Sequence, residues 1–133
     1  MQGEKQRTIY DGLEMIRRIA YKHIDQSWRI RINFRFRTAF GMCDYNNQIL
    51  SFNKYLVQYA NDYHLRQLAL HEIAHALTPS HGHDSFFKKK CKEIGCNTEE
   101  RYFRWDMRYC FPEGMYPFEL KRLQRLGRKE VKP

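Results

Sequence analysis

The spacing of apolar residues predicts a small α+β fold, and three observations carry that prediction. Ile9, Leu13, Ile16, Ala20 and Ile24 recur at the interval of one helix face. From Trp28 to Arg37 apolar and polar residues alternate without a break, the period of a strand. The helical interval then returns through Tyr55, Leu56, Leu65, Leu68, Ala69, Glu72 and Ala76.

The chain has 133 residues, a length that suits one domain spanning 1–133 and burying roughly 65–70% of the surface of the unfolded chain. Hydrophobic residues are 42% and aromatics 15%, too apolar a composition for a disordered chain. No apolar run is long enough to span a membrane, and the opening residues Met1 to Arg7 contain no apolar stretch of the export type. Cys43, Cys91, Cys96 and Cys110 are too sparse for a disulfide framework and lack paired ribbon spacing, so reduced, buried thiols are expected. The expectation is a soluble cytoplasmic protein, or a nucleoid or nuclear one if it binds DNA, with no membrane partner.

Taken in order, residues 8–26 read as an amphipathic helix and Trp28 to Arg37 as the first strand. Its core side carries Trp28, Ile30, Ile32, Phe34 and Phe36. Thr38 to Cys43 reads as a second strand, Asp44-Tyr45-Asn46-Asn47 as a tight turn, and Gln48 to Phe52 as a third strand. One helical pattern then runs to Leu77 and stops before Pro79, whose ring clashes with a continuing helix. Asp84 or Ser85 caps a further helix through Phe87, Cys91 and Ile94, with Gly95 as its stop. Pro112, Gly114 and Pro117 interrupt residues 97–133, a C-terminal extension that ends in a basic tail.

Charge is unevenly placed along the chain. The 24 Lys and Arg against 15 Asp and Glu give a net charge of +9. Residues 1–37 hold nine basic and four acidic residues (+5), residues 38–83 two and three (−1), and residues 84–133 thirteen and eight (+5). A field of this kind draws in phosphate backbones. Arg29, Arg31, Arg35 and Arg37 share the polar side of the first strand. Their spacing of about 7 Å per alternate residue is close to a nucleic-acid phosphate repeat. DNA is thus an expected partner, against the alternative of an edge strand blunted by charge.

Four of the six histidines fall between positions 71 and 83. His71-Glu72-Ile73-Ala74-His75 places two imidazoles four residues apart, on one helix face, within reach of one zinc ion at about 2.0–2.1 Å. Glu72 points beside the ion, placed to take a proton from water. A catalytic zinc site needs a third protein ligand and one open position. His81 has the spacing of H-E-x-x-H-x-x-G-x-x-H, with Thr78 where that pattern has glycine. His83 sits where the next capped helix begins and would be held by it. Both remain candidates on spacing, with Glu93, Glu99 and Glu100 as outside candidates.

Ile49-Leu50-Ser51, His71-Glu72-Ile73-Ala74-His75-Ala76-Leu77 and His81-Gly82-His83-Asp84, with Gly41 ahead of the third strand and Ile94-Gly95-Cys96 closing the last helix, resemble the SprT-like metallopeptidase family over residues 9–96. The resemblance implies a zincin-like domain: an N-terminal helix, a short three-stranded antiparallel sheet, and an active-site helix followed by a capped one. It implies His71, His75 and His83 as zinc ligands and Glu72 as general base. The expected function is a zinc metalloendopeptidase acting on DNA-associated proteins. The rivals are a DNA-binding or host-interaction protein whose zinc only staples the core.

Overall fold

The computed structural model describes residues 7–35 and 41–96. Its first helix, α1, spans Ile9–Ala20. Thr8 caps it through a capping box, its hydroxyl accepting from the Asp11 N–H at 3.0 Å. The expected helix to residue 26 is cut short. The N–H groups of Lys22 and His23 bond to carbonyls three residues back, at Ile19 and Ala20, and this tighter turn ends the helix. The Tyr21 hydroxyl donates to the Trp28 carbonyl at 2.8 Å and ties that turn to the first strand.

Next come three strands, β1 at Arg29–Asn33, β2 at Gly41–Asp44 and β3 at Ile49–Asn53, in the order β1-β3-β2. The sheet is mixed, which corrects the antiparallel expectation: β2 pairs antiparallel with β3, but β1 pairs parallel with it. The hairpin between β2 and β3 leaves only the far side of β3 for β1, and on that side β1 runs in the same direction. The turn residues act as predicted. The Asp44 carboxylate accepts from both the backbone and the side-chain nitrogen of Asn47, and Gln48 takes a left-handed φ of 55°.

The first strand is shorter than its alternation suggested. The Asn33 side chain accepts from the Arg35 N–H at 2.7 Å, bending the chain out of the ladder. Phe34 is consequently 65% exposed instead of in the core, and Arg35 lies past the strand. Phe36, Arg37 and the start of the expected second strand, Thr38 to Phe40, lie outside the described residues.

The predicted long helix is two helices, α2 at Lys54–Tyr59 and α3 at Asp62–Leu77, because Ala60 and Asn61 are extended. The Arg7 guanidinium occupies this break. It donates to the Val57 carbonyl at 2.7 Å, to the Ala60 carbonyl, and to Asp62 at 2.9 Å. A cation on the terminal carbonyls of α2 and the first acid of α3 is favourable at both helix ends. The last helix, α4, spans Ser85–Ile94, capped by Asp84 and stopped by left-handed Gly95, as expected.

α3 is the centre of the molecule. It packs against α1, β2 and α4, and ten of its sixteen residues are buried. Around it the core gathers Ile16, Leu50, Phe52, Leu56, Val57, Leu65, Leu70, Ile73 and Phe87, each no more than 1% exposed. Each such side chain contributes about 1.5–3 kcal/mol by burial. Leu50 and Phe52 of β3 face the helices, so their β2 partners Cys43 and Gly41 do too, while Met42, Ser51 and Arg31 share the opposite side.

Gly12 marks a close approach of α1 to α2. A Cβ there would collide with the Val57 carbonyl oxygen and lie 2.6 Å from Val57 Cγ1. Gly12→Ala should therefore destabilise the protein by about 1–3 kcal/mol, although alanine is the better helix former by about 1 kcal/mol. Urea unfolding measures this, and a midpoint equal to or above the parent's would show that α1 and α2 are not in contact.

Candidate metal centre

His71 and His75 stand one turn apart on α3, and burial decides their state. Desolvation, then the neighbouring imidazoles, pull the His71 pKa down to about 3. Desolvation and the His83 ring pull His75 down to about 4. Both rings are neutral at pH 7, the form that offers a lone pair to a metal.

Past α3 the chain turns sharply. The Thr78 hydroxyl donates to the Ala74 carbonyl at 2.8 Å, and Ser80 is left-handed with φ 71°. Asp84 then organises the approach to α4. One carboxylate oxygen accepts the Phe87 N–H at 2.9 Å, capping α4, and the other accepts from His81 Nδ1 at 2.7 Å. Asp84's carboxyl is held below its usual pKa, first by that Phe87 N–H and next by His81.

His83 is carried between these two anchors. Its Nε2 lies 3.1 Å from Nε2 of His71 and 3.1 Å from Nε2 of His75. All three ligand atoms fall within 4.8 Å of one another. Four ligands at tetrahedral corners, each about 2.0–2.1 Å from zinc, stand roughly 3.3 Å apart, so the observed edges fit one ion. The chemistry fits as well. His83 Nε2 has one proton at most to share between two nitrogens, whereas a cation engages all three lone pairs together. The triad is thus a fitting site for a metal ion.

Glu72, next to His71 on α3, is 6% exposed, and burial pushes its pKa up to about 8. A divalent cation nearby would oppose that shift. β2 passes directly over it: a Cβ on Gly41 would lie 3.1 Å from Glu72 Cγ and 3.2 Å from Oε2. The Cys43 thiol, two residues along the same side of β2, is pushed up to about 12 by burial first and Glu72 second.

The sequence candidates are therefore sorted by position. His71, His75 and His83 converge, and Glu72 follows His71 on α3 as a buried residue. His81 is engaged with Asp84 and stacked on Phe86 at 4.4 Å. Glu93 is exposed and paired with Lys90 at 2.8 Å. Glu99 and Glu100 lie outside the described residues. Arg29 and Arg31 are exposed on β1, Arg35 sits in the bend beyond it, and Arg37 is outside the described residues. Sequence reasoning counts Phe87 only as a core position of α4. Its ring in fact lies against all three imidazoles, at 4.3 Å from His75 and 5.1 Å from both His71 and His83. The signal in the sequence is its place one helical turn after His83.

A buried helix presenting two histidines, joined by a third from just before the cap of the next helix, defines a candidate metal site. The family model described as SprT-like matches residues 12–108, and the chain belongs to that family. A comparison with curated proteins gives no match. Among solved structures, the chain is similar to the metallopeptidase zymogen jannalysin of Methanocaldococcus jannaschii, at 19% identity and TM-score 0.52 over 94% of this chain and 99% of that one. It is also similar to the metallopeptidase zymogen abylysin of Pyrococcus abyssi, at 11% identity and TM-score 0.50 over 93% and 95%. At these identities the likeness is one of fold.

The geometry separates the two candidate third ligands by experiment. His83→Ala should remove stoichiometric metal from the protein purified in zinc. His81→Ala should leave one equivalent bound, with affinity lowered by no more than about tenfold through the lost Asp84 contact. Elemental analysis and chelator competition read both, and the reverse pattern would make His81 the ligand.

Proposed function

We propose that this protein is a zinc-dependent metalloendopeptidase. The observation that carries the reading is the convergence of the His71, His75 and His83 ring nitrogens, with a buried glutamate, Glu72, next to His71 in the chain. Zinc held by His71, His75 and His83 would supply Lewis acidity and bring the pKa of a water near 7. Glu72 would take the proton of the attacking water on its carboxylate and deliver it to the departing amine nitrogen. Among the described residues the ligand cluster holds His71, His75 and His83 without His81, which supports the three-ligand form over a closed structural site. A tetrahedral ion with three protein ligands keeps one position for chemistry.

Substrate would lie extended along β2. Among the described residues β2 is an edge strand, and its Gly41 lies beside Glu72, so a peptide added to that edge passes the general base. β3 is central in the sheet and has no free edge to offer.

DNA-associated proteins are the substrate class we propose. The net charge of +9 favours it, as do Arg29 and Arg31, exposed on the sheet side away from the helices, and Lys88, Lys89 and Lys92, exposed along α4. Cys43 and Cys91 are free thiols, which suits a reducing compartment such as the cytoplasm. No helix among the described residues is long and apolar enough to cross a membrane.

Glu72→Gln tests the mechanism: metal content and melting temperature should stay at the parent's values while cleavage of casein or a DNA-bound protein drops by about 10²-fold or more. Cleavage at the parent rate would dismiss Glu72 as the base. For the nucleic acid, a DNA mobility shift should fade with salt, and Arg29→Ser with Arg31→Ser should lower the slope of log affinity against log salt by about 2. An unchanged slope would free β1 of that role.

A further inference from the structure

Phe87 is fully buried, at 0% exposure, and its surroundings are unusual for a core phenylalanine. Its ring stacks on His75 with an interplanar angle of 27°, meets His71 at 68° and His83 at 52°. One side chain thus touches every ring of the triad. The three histidines also touch one another, with ring centroids 4.9–5.0 Å apart. Four aromatic rings form a single packed cluster, of which Phe87 is the member without a donor atom.

We propose that Phe87 is the positioning residue of the metal centre, setting the planes of His71, His75 and His83 so that their Nε2 atoms meet at one point. The inference rests on the metallopeptidase reading only in taking the triad as a metal site. The physical reason is torsional. An imidazole turns about χ2 in a broad well, so its rotamer alone does not aim the ligand nitrogen. Metal sites commonly aim it by a hydrogen bond to the second ring nitrogen. A rigid aromatic surface in contact with all three rings constrains the same torsion by shape, and close-packed interiors yield little to such a wedge.

The arrangement also explains why one segment carries both the third ligand and the wedge. The Asp84 cap fixes the Phe87 N–H, so the ring enters the core at a set distance from His83, one turn behind it. Docking α4 against α3 therefore brings ligand and wedge into place together. An aliphatic residue of similar bulk would fill the volume but offer no flat face to His75.

The test compares Phe87→Leu, with Phe87→Met as a second aliphatic replacement, against Leu56→Ala, a core truncation on α2 away from the triad. Each protein is checked by circular dichroism melting, zinc affinity in chelator competition, and the visible spectrum of the cobalt(II) form. The expected result is a zinc affinity at least about tenfold weaker in the Phe87 variants, with the intense bands of four-coordinate cobalt weakened or shifted. Leu56→Ala should melt lower than the parent yet keep the parent's affinity and spectrum. Phe87 variants that bind zinc within about threefold of the parent and give its cobalt spectrum would overturn the proposal alone. So would an equal loss of affinity in Leu56→Ala, since the effect would then be one of stability. A parent protein that takes up neither zinc nor cobalt would overturn the metallopeptidase reading and this inference together.

Discussion

Everything at the candidate centre depends on α3 being buried on several sides while carrying ionisable groups. A helix in that position normally reads as apolar throughout, yet this one holds His71 and Glu72 within the core. Burial disfavours the charged form of each, which lowers the imidazoles and raises the carboxyl. The same desolvation thus yields two results useful at one place: lone pairs free of protons, and an acid whose charge depends on a nearby cation. The cluster opens outward, since His71 is buried and His83 exposed. A metal there would stand at a rim, within reach of a large substrate.

That rim is assembled by a short segment rather than by distant parts of the chain. All three histidines, Glu72, Asp84 and Phe87 lie between positions 71 and 87. Local hydrogen bonds make the turn: Thr78 back to Ala74, Asp84 to both His81 and Phe87. Long-range packing only has to hold α3 and α4 together. Gln67 Nε2 to the Gly95 carbonyl at 3.4 Å and Phe87 in the core do this at opposite ends of α4. Arg7 and α1 brace the other end of α3.

This locality accounts for what was legible in the sequence. The i, i+4 spacing of His71 and His75, the Asp84 cap and the Gly95 stop are short-range signals, and each corresponds to an observed feature. The His83 ring nitrogen stands near those of His71 and His75 for the same reason, since a capped helix holds its preceding residue. Features set by distant contacts were illegible. Period-two alternation continued past Asn33, but the Asn33 side chain captured the Arg35 N–H and ended the strand, leaving Phe34 in solvent. Helical spacing ran across Ala60 and Asn61, while Arg7, far earlier in the chain, engages the carbonyls at that break. Parallel pairing of β1 with β3 left no mark in either strand, because direction is a property of the path between them.

The mixed sheet bears directly on the chemistry. With β3 central, the hairpin places β2 at the border nearest α3 and leaves β1 on the far side. Gly41 then becomes the point where the sheet comes close to α3, since a Cβ there would lie 3.0 Å from the Ser51 carbonyl oxygen and 3.1 Å from Glu72 Cγ. An antiparallel sheet with β2 in the middle would have spent both its edges on neighbours and set the glutamate against a paired strand. The observed order keeps a strand edge and the buried Glu72 carboxyl adjacent, so a peptide paired to that edge through its backbone would pass beside Glu72.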